Sequence, residues 1–338
     1  MDKKERFMRY LHNEPVDRVP VAIFHHFTER NEWLKGLKSP EIFEKNVIGH
    51  QKAREFFDPD VIKVMNDSLM IMPVDVSFVE KSEDLRHIQP PMPGSAFFEK
   101  SRELTDRVFA FYKDSEAPKY VTGFSPAMIL KTAMNMEFAS LPGATPPLLE
   151  FLAEDPESVM AALDKIADSV IALDEMLIKE CGADGIYFSV NNQKNYFPKE
   201  AYLKYIAPSE KKVMAADNKL SDMNCLHICG YAGLSNDLDL YKDYDAAAIN
   251  WAVHAEGVSL SEGKKLFGGK PVFGGFEQAG VIYTGSREEL EKAVFAILDE
   301  AGQTGIMIGA DCTVPTDIDD RRLQWIREAC EKYAEAHK

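Results

Sequence analysis

Cysteine is scarce in this chain. The five present among 338 residues are an odd number without framework spacing, which excludes a fully paired disulfide scaffold. They fit a reducing compartment in which thiols stay free, some of them for a metal. Basic side chains are also short in number. The 39 Lys and Arg against 55 Asp and Glu leave a net charge of −16, which argues against nucleic acid or an anionic membrane surface as the main partner. Long apolar runs are missing too. No stretch approaches a membrane span, and the charged, amphipathic segment Met1 to Asn13 lacks the apolar centre of a secretory signal. Neither G-x-G-x-x-G nor G-x-x-x-x-G-K-[ST] occurs in strand–turn–helix context, so no nucleotide-phosphate cradle is expected. These absences predict a soluble cytoplasmic protein.

What is present is a chain with 45% hydrophobic residues, enough for a large core. Eight apolar runs read as strands: Val19–Phe24, Val61–Met65, Tyr120–Phe124, Gly185–Val190, Asn224–Gly230, Ala246–Val253, Pro271–Phe276 and Gly305–Ala310. Helical patterns fall among them. They cover Pro40–Phe57, Pro126–Met136, Pro156–Glu180, a stretch opened by Pro198, a capped segment from Ser286 to Ala301, and Ile318–Ala336. A short helix, Lys3–Leu11, precedes them. This order predicts one α/β domain over residues 1–338, a (β/α)8 TIM barrel with an N-terminal helical segment. Residues 68–118 are too long for a simple connection and read as an insertion after the second strand, a small β excursion plus a lid.

Chemistry in such a barrel gathers at the C-terminal strand ends. The fifth run carries His227 and Cys229, two apart and therefore on one face, and Cys312 follows the eighth. Two thiols and an imidazole make a three-ligand Zn²⁺ set with one position open. Taken alone, a His-x-Cys pair is structural more often than it is a metal site. The coincidence of all three at one rim favours the metal. Asp67, Asn191, Trp251, His254, Glu277, Gln278 and the pair His25-His26 also fall at predicted strand ends. Asp67 would cap a helix or handle protons, and Trp251 would pack in the barrel mouth. Glu277 would orient a ligand or close the fourth zinc position. Phe273-Gly274-Gly275-Phe276 marks a close backbone approach, whereas Cys181 and Cys330 read as core and Cys225 as lying deeper in the barrel.

Across nearly its full length the chain resembles the uroporphyrinogen decarboxylase superfamily. The resemblance is carried by Glu14-Pro15-Val16-Asp17-Arg18-Val19-Pro20, Gly182-Ala183-Asp184-Gly185-Ile186, His227-Ile228-Cys229-Gly230, Phe273-Gly274-Gly275-Phe276 and Gly309-Ala310-Asp311-Cys312-Thr313-Val314-Pro315. Within the superfamily the His-x-Cys plus late Cys pattern is similar to the zinc-dependent, corrinoid-linked methyltransferases (methylcobamide:coenzyme M methyltransferase-like). That resemblance implies Zn²⁺ on His227, Cys229 and Cys312, and a corrinoid supplied by a partner protein, since no Asp-x-His-x-x-Gly cobamide segment is evident here. It also implies a small methyl donor or acceptor, with Glu277 and Asp67 as catalytic candidates. His26, Asn191, Trp251, His254 and Gln278 are the candidates for substrate or corrinoid contact. The decarboxylases carry an arginine-rich loop after the first strand, where this chain reads Phe24-His25-His26-Phe27-Thr28-Glu29-Arg30. A metal-free lyase acting on a tetrapyrrole, with an acid such as Asp67 moving protons, is therefore the second expectation. A non-catalytic tetrapyrrole- or corrinoid-binding barrel is the third.

Overall fold

The computed structural model describes residues 1–134 and 147–337. Seven strands form one parallel sheet: β1 (Ile62–Val64), β2 (Lys119–Phe124), β3 (Gly185–Val190), β4 (Cys225–Ile228), β5 (Ala248–Trp251), β6 (Val272–Phe276) and β7 (Ile306–Ala310). Each pairs with the next in sequence, and helical crossovers return the chain between them. The strands are buried on both faces, which is why they read as almost unbroken apolar runs. Alternate residues serve two cores. Leu226, Ile228, Ile306 and Ile308 face the helices, while Tyr187, Cys225, Phe273 and Met307 face inward. The N-terminal helix Lys3–Leu11 adds Phe7 and Tyr10 to that inner core, so it closes one end of the sheet.

The helices start where the sequence places caps. Asp155 accepts from the Ser158 amide ahead of helix Pro156–Lys179, and Ser286 and Glu289 form a capping box ahead of Arg287–Ala301. The helix expected over Pro126–Met136 spans Pro126–Ala133, and its last two residues lie outside the described ones.

Two expectations change. Val19–Phe24 does not form a strand ladder but makes isolated parallel bridges, Val21 to Ile308 and His25 to Val314. Pro20 has no amide hydrogen to give a neighbour. The Val21 amide, which could have met β1, donates instead to the Asp60 carboxylate at 2.9 Å. Segment 68–118 contains no strand among the described residues. Its apolar alternation at 73–80 is broken by Pro73 and by a turn in which Asp75 accepts from the Ser77 amide. Its second half is the helix Ala96–Phe111, which packs on β1 and on helices Pro40–Phe56 and Pro156–Lys179 and so is the crossover from β1 to β2.

One pair of acids sits outside this order. Asp174 and Asp217, on the packed helices Pro156–Lys179 and Ala207–Asp217, are buried with no hydrogen bond to any carboxylate oxygen. Burial raises both pKa values, that of Asp174 with the further push of Asp217's charge and that of Asp217 to about 8. A raised folded-state pKa contributes stability that is present at low pH and lost as pH climbs from the ordinary carboxylate range through about 8. Asp217→Asn is therefore expected to flatten the decline and to stabilise the protein at pH 8 by about 1–3 kcal/mol. Urea unfolding of both forms at pH 6 and pH 8 measures this, and an Asn variant that is weaker than the parent at pH 8 rejects it.

Candidate metal centre and its cleft

His227 projects from the inner face of β4, level with Ser189 of β3 and Asn250 of β5. Cys229 lies one residue past the strand, where its amide still donates to the Val190 carbonyl at 2.9 Å. Cys312 follows β7 in a turn opened by the Asp311 amide bonding to the Phe276 carbonyl. The three side chains converge. Cys229 Sγ and Cys312 Sγ are 3.9 Å apart, Cys312 Sγ and His227 Nε2 are 3.8 Å apart, and all three ligand atoms lie within 4.8 Å of one another. Tetrahedral zinc with bonds of about 2.0–2.3 Å would set its ligand atoms roughly 3.5–3.8 Å apart, so the donors present fit that ion with little adjustment. The thiol contact holds the Cys312 pKa well below the ordinary thiol value and pushes that of Cys229 up: one sulfur lends its proton to the other.

Asn250 orients the imidazole. His227 Nδ1–H donates to Asn250 Oδ1 at 2.5 Å, which leaves Nε2 with its lone pair toward the thiols. The amide is itself fixed, because Asn250 Nδ2 donates to the carbonyls of Phe273 at 2.8 Å and Ala310 at 3.2 Å. Tyr187 donates to the same Oδ1 at 3.2 Å, and its ring lies 5.0 Å from that of His227. The strands must approach closely for these bonds. A Cβ on Gly309 would lie 3.2 Å from the Gly274 amide nitrogen, and Gly274 and Gly275 adopt positive φ of 152° and 113°. Asn250→Leu is expected to weaken metal affinity about 10–100-fold. Competition against a chromogenic chelator reads the change, and unaltered affinity would remove Asn250 from the site.

A cleft of about 510 Å³, counting its open mouth, exposes the triad. Trp33, Phe124, Tyr231, Met65, Met70 and Met128 contribute aromatic and methionine side chains to its wall. His26 and Asp67 line it as a connected pair. His26 Nδ1 bonds to Asp67 Oδ1 at 2.8 Å, and His26 Nε2 meets Thr313 Oγ1, the residue after Cys312, at 2.9 Å. The second oxygen of Asp67 accepts the amides of Phe27 at 2.5 Å and Thr28 at 3.1 Å. Burial alone would raise the Asp67 pKa, but the bonds from His26 and the Phe27 amide outweigh it and hold it below the usual carboxylate value. This is an anion engaged on every side, poorly suited to donate a proton.

The other rim residues lie elsewhere. His254, Glu277 and Gln278 line an adjoining hollow with Asp311, which bonds His254 Nδ1 at 3.1 Å and raises its pKa. Glu277 is exposed there, past the end of β6, and does not line the metal cleft. Trp251 faces the helices. Its indole fills the space over Gly263 and donates to the Val258 carbonyl at 3.0 Å, because the inward place on β5 belongs to Asn250, one residue earlier. Asn191 is buried behind the cleft, where its Oδ1 accepts Lys131 Nζ at 2.6 Å. His25 bonds Asp320 at 2.8 Å. Cys225 belongs to the inner core, 3.7 Å from the Tyr120 hydroxyl.

Sequence reasoning passed over Asn250, Tyr187 and Lys63. Each sits inside an apolar strand, and a polar residue in a strand buried on both faces was the available signal. Lys63 lines the cleft, with burial lowering its pKa to about 8 against the raising pull of Cys312 and Asp67.

No curated protein sequence is matched. A methyltransferase from Methanosarcina mazei superposes with a TM-score of 0.70 at 14% identity, over 98% of this chain and 99% of that one. A B12-independent methionine synthase from Shewanella sp. W3-18-1, in complex with selenomethionine, gives a TM-score of 0.54 at 12% identity, over 95% of this chain and 98% of the other. At these identities the likeness is one of fold. No helix among the described residues is long and apolar enough to cross a membrane. Residues 2–333 match the family described as uroporphyrinogen decarboxylase (URO-D), and the chain belongs to that family.

Proposed function

We propose that the protein is a zinc-dependent methyltransferase that moves a methyl group between a corrinoid protein and a thiol, methyl ether or methyl thioether. The reading takes residues 1–338 as one barrel domain, with segment 19–24 as the stave between β7 and β1. A single observation carries it: His227, Cys229 and Cys312 converge with zinc-like spacing on the wall of an apolar cleft. Zinc held there would lower the pKa of a bound thiol, or act as a Lewis acid on a methylated sulfur or oxygen. Asn250 sets the His227 tautomer. The Asp67–His26–Thr313 chain braces the turn that carries Cys312. The apolar wall keeps water from a reacting methyl group, so positioning is the main contribution of the protein to the displacement.

The lyase alternative would require an acid free to exchange protons in this cleft. Asp67 is the carboxylate that lines it among the described residues, and its oxygens are committed to His26 and two amides.

The test is metal content together with turnover. Purified protein should carry about one zinc per chain. Methyl transfer from methylcobalamin to a thiol, or from a methyl ether to cob(I)alamin, should disappear on chelation and return with zinc. A chain that takes up no zinc, or transfers methyl groups equally well without it, overturns the proposal.

A further inference from the structure

We infer that Lys63 is the anion-recognising residue of the metal cleft, and that the methyl-bearing substrate is an aryl methyl ether or thioether carrying one carboxylate or sulfonate. The inference rests on the methyltransferase reading and narrows its substrate. Lys63 stands in β1 between Ile62 and Val64, whose side chains serve the helix-facing core, so strand alternation turns the ammonium inward. Only 8% of the residue is exposed. Its Nζ lies 4.5 Å above the Phe24 ring and 4.0 Å above the Tyr187 ring, and it makes no hydrogen bond or ion pair with any of the described residues. Buried lysines are almost never left unpaired.

The charges nearby are already engaged. Asp67 is bound to His26 and two backbone amides. The thiolates of Cys229 and Cys312 would be neutralised by a divalent metal ion. A ligand entering the cleft can bring the remaining counter-charge, and a carboxylate or sulfonate supplies it in the form a lysine holds best. The ring of Tyr187 lies 4.0 Å from the ammonium and 5.0 Å from the His227 ring, and all three side chains line the one cleft, so both ends are within reach of one small molecule. The space between is walled by Trp33, Phe124 and methionines, which suit a flat apolar ring.

The experiment is calorimetric titration of the zinc-loaded full chain with 4-methoxybenzoate, 4-methoxybenzenesulfonate and the neutral 4-methoxybenzamide. At least one anion should bind about tenfold or more tightly than the amide, and the tighter of the two names the group. In Lys63→Met that preference should vanish with amide affinity unchanged, which also reports that the cleft is folded. Lys63→Arg should retain part of it. Equal affinities in the parent, a preference that survives Lys63→Met, or no binding of any of the three overturns the inference. Zinc content and transfer from methylcobalamin to a thiol do not depend on these ligands. Failure of the inference is thus separable from failure of the function itself.

Discussion

Cys312→Ser is expected to lose its zinc and, with it, more than about 100-fold of methyl-transfer activity. A hydroxyl is a far poorer ligand than a thiolate for a borderline-soft ion, and two remaining donors on β4 and its extension cannot hold the ion alone. The substitution separates two readings of the same sulfur. As a small core residue Cys312 would tolerate serine with little effect. As a ligand 3.9 Å from Cys229 and 3.8 Å from His227 it would not. Cys225→Ser is the control, because that thiol lies on the inner face against Tyr120 and outside the triad. Elemental analysis of the three proteins decides: full zinc in Cys312→Ser, or equal loss in Cys225→Ser, rejects the site.

The second large effect is on stability and lies away from the cleft. Asp60 is fully buried and accepts from both Arg18 amino groups, at 2.6 and 2.7 Å, from Arg6 at 3.3 Å and from the Val21 amide at 2.9 Å. It ties the N-terminal helix, segment 19–24 and the start of β1 into one knot, where a strand ladder would otherwise have been needed. Asp60→Ala would leave two buried guanidinium groups without their shared counter-charge and an amide without its acceptor. The expected cost is about 3–5 kcal/mol, read as a lower urea midpoint at constant slope. A cost below about 1 kcal/mol would mean that water or Asp17, which already holds Arg6, takes over the role. The knot also gives a physical account of Asp17-Arg18-Val19-Pro20 within the resemblance: Asp17 and Arg18 are ion-pair partners of Arg6 and Asp60.

Much of the site was legible because it follows from alternation. Residues two apart on a strand share a face, and strand ends in a parallel α/β sheet share a rim, so His227, Cys229 and Cys312 could be joined before any coordinates. The same logic misplaced Trp251 by one residue, since hydrophobic content does not tell which of two neighbours in a doubly buried strand faces in. It also drew Glu277 to the metal and His254 to the substrate, although the chain turns out into another hollow once β5 and β6 end. Lys63 and Asn250 were passed over for the opposite reason: isolated polar residues in apolar runs look like noise until their neighbours are known.

By itself, then, the sequence determined the strand-and-helix order, the helix caps and the candidate ligand set, because these depend on local periodicity and on the chemistry of a few side chains. Only the tertiary structure decided that segment 19–24 bridges rather than pairs, that Asp67 is spent on His26, and that Lys63 stands unpaired beside the metal cleft. Those outcomes depend on which distant groups meet: Asp60 with Val21, Asp67 with the Phe27 amide, and the ammonium of Lys63 with two aromatic faces and no acid.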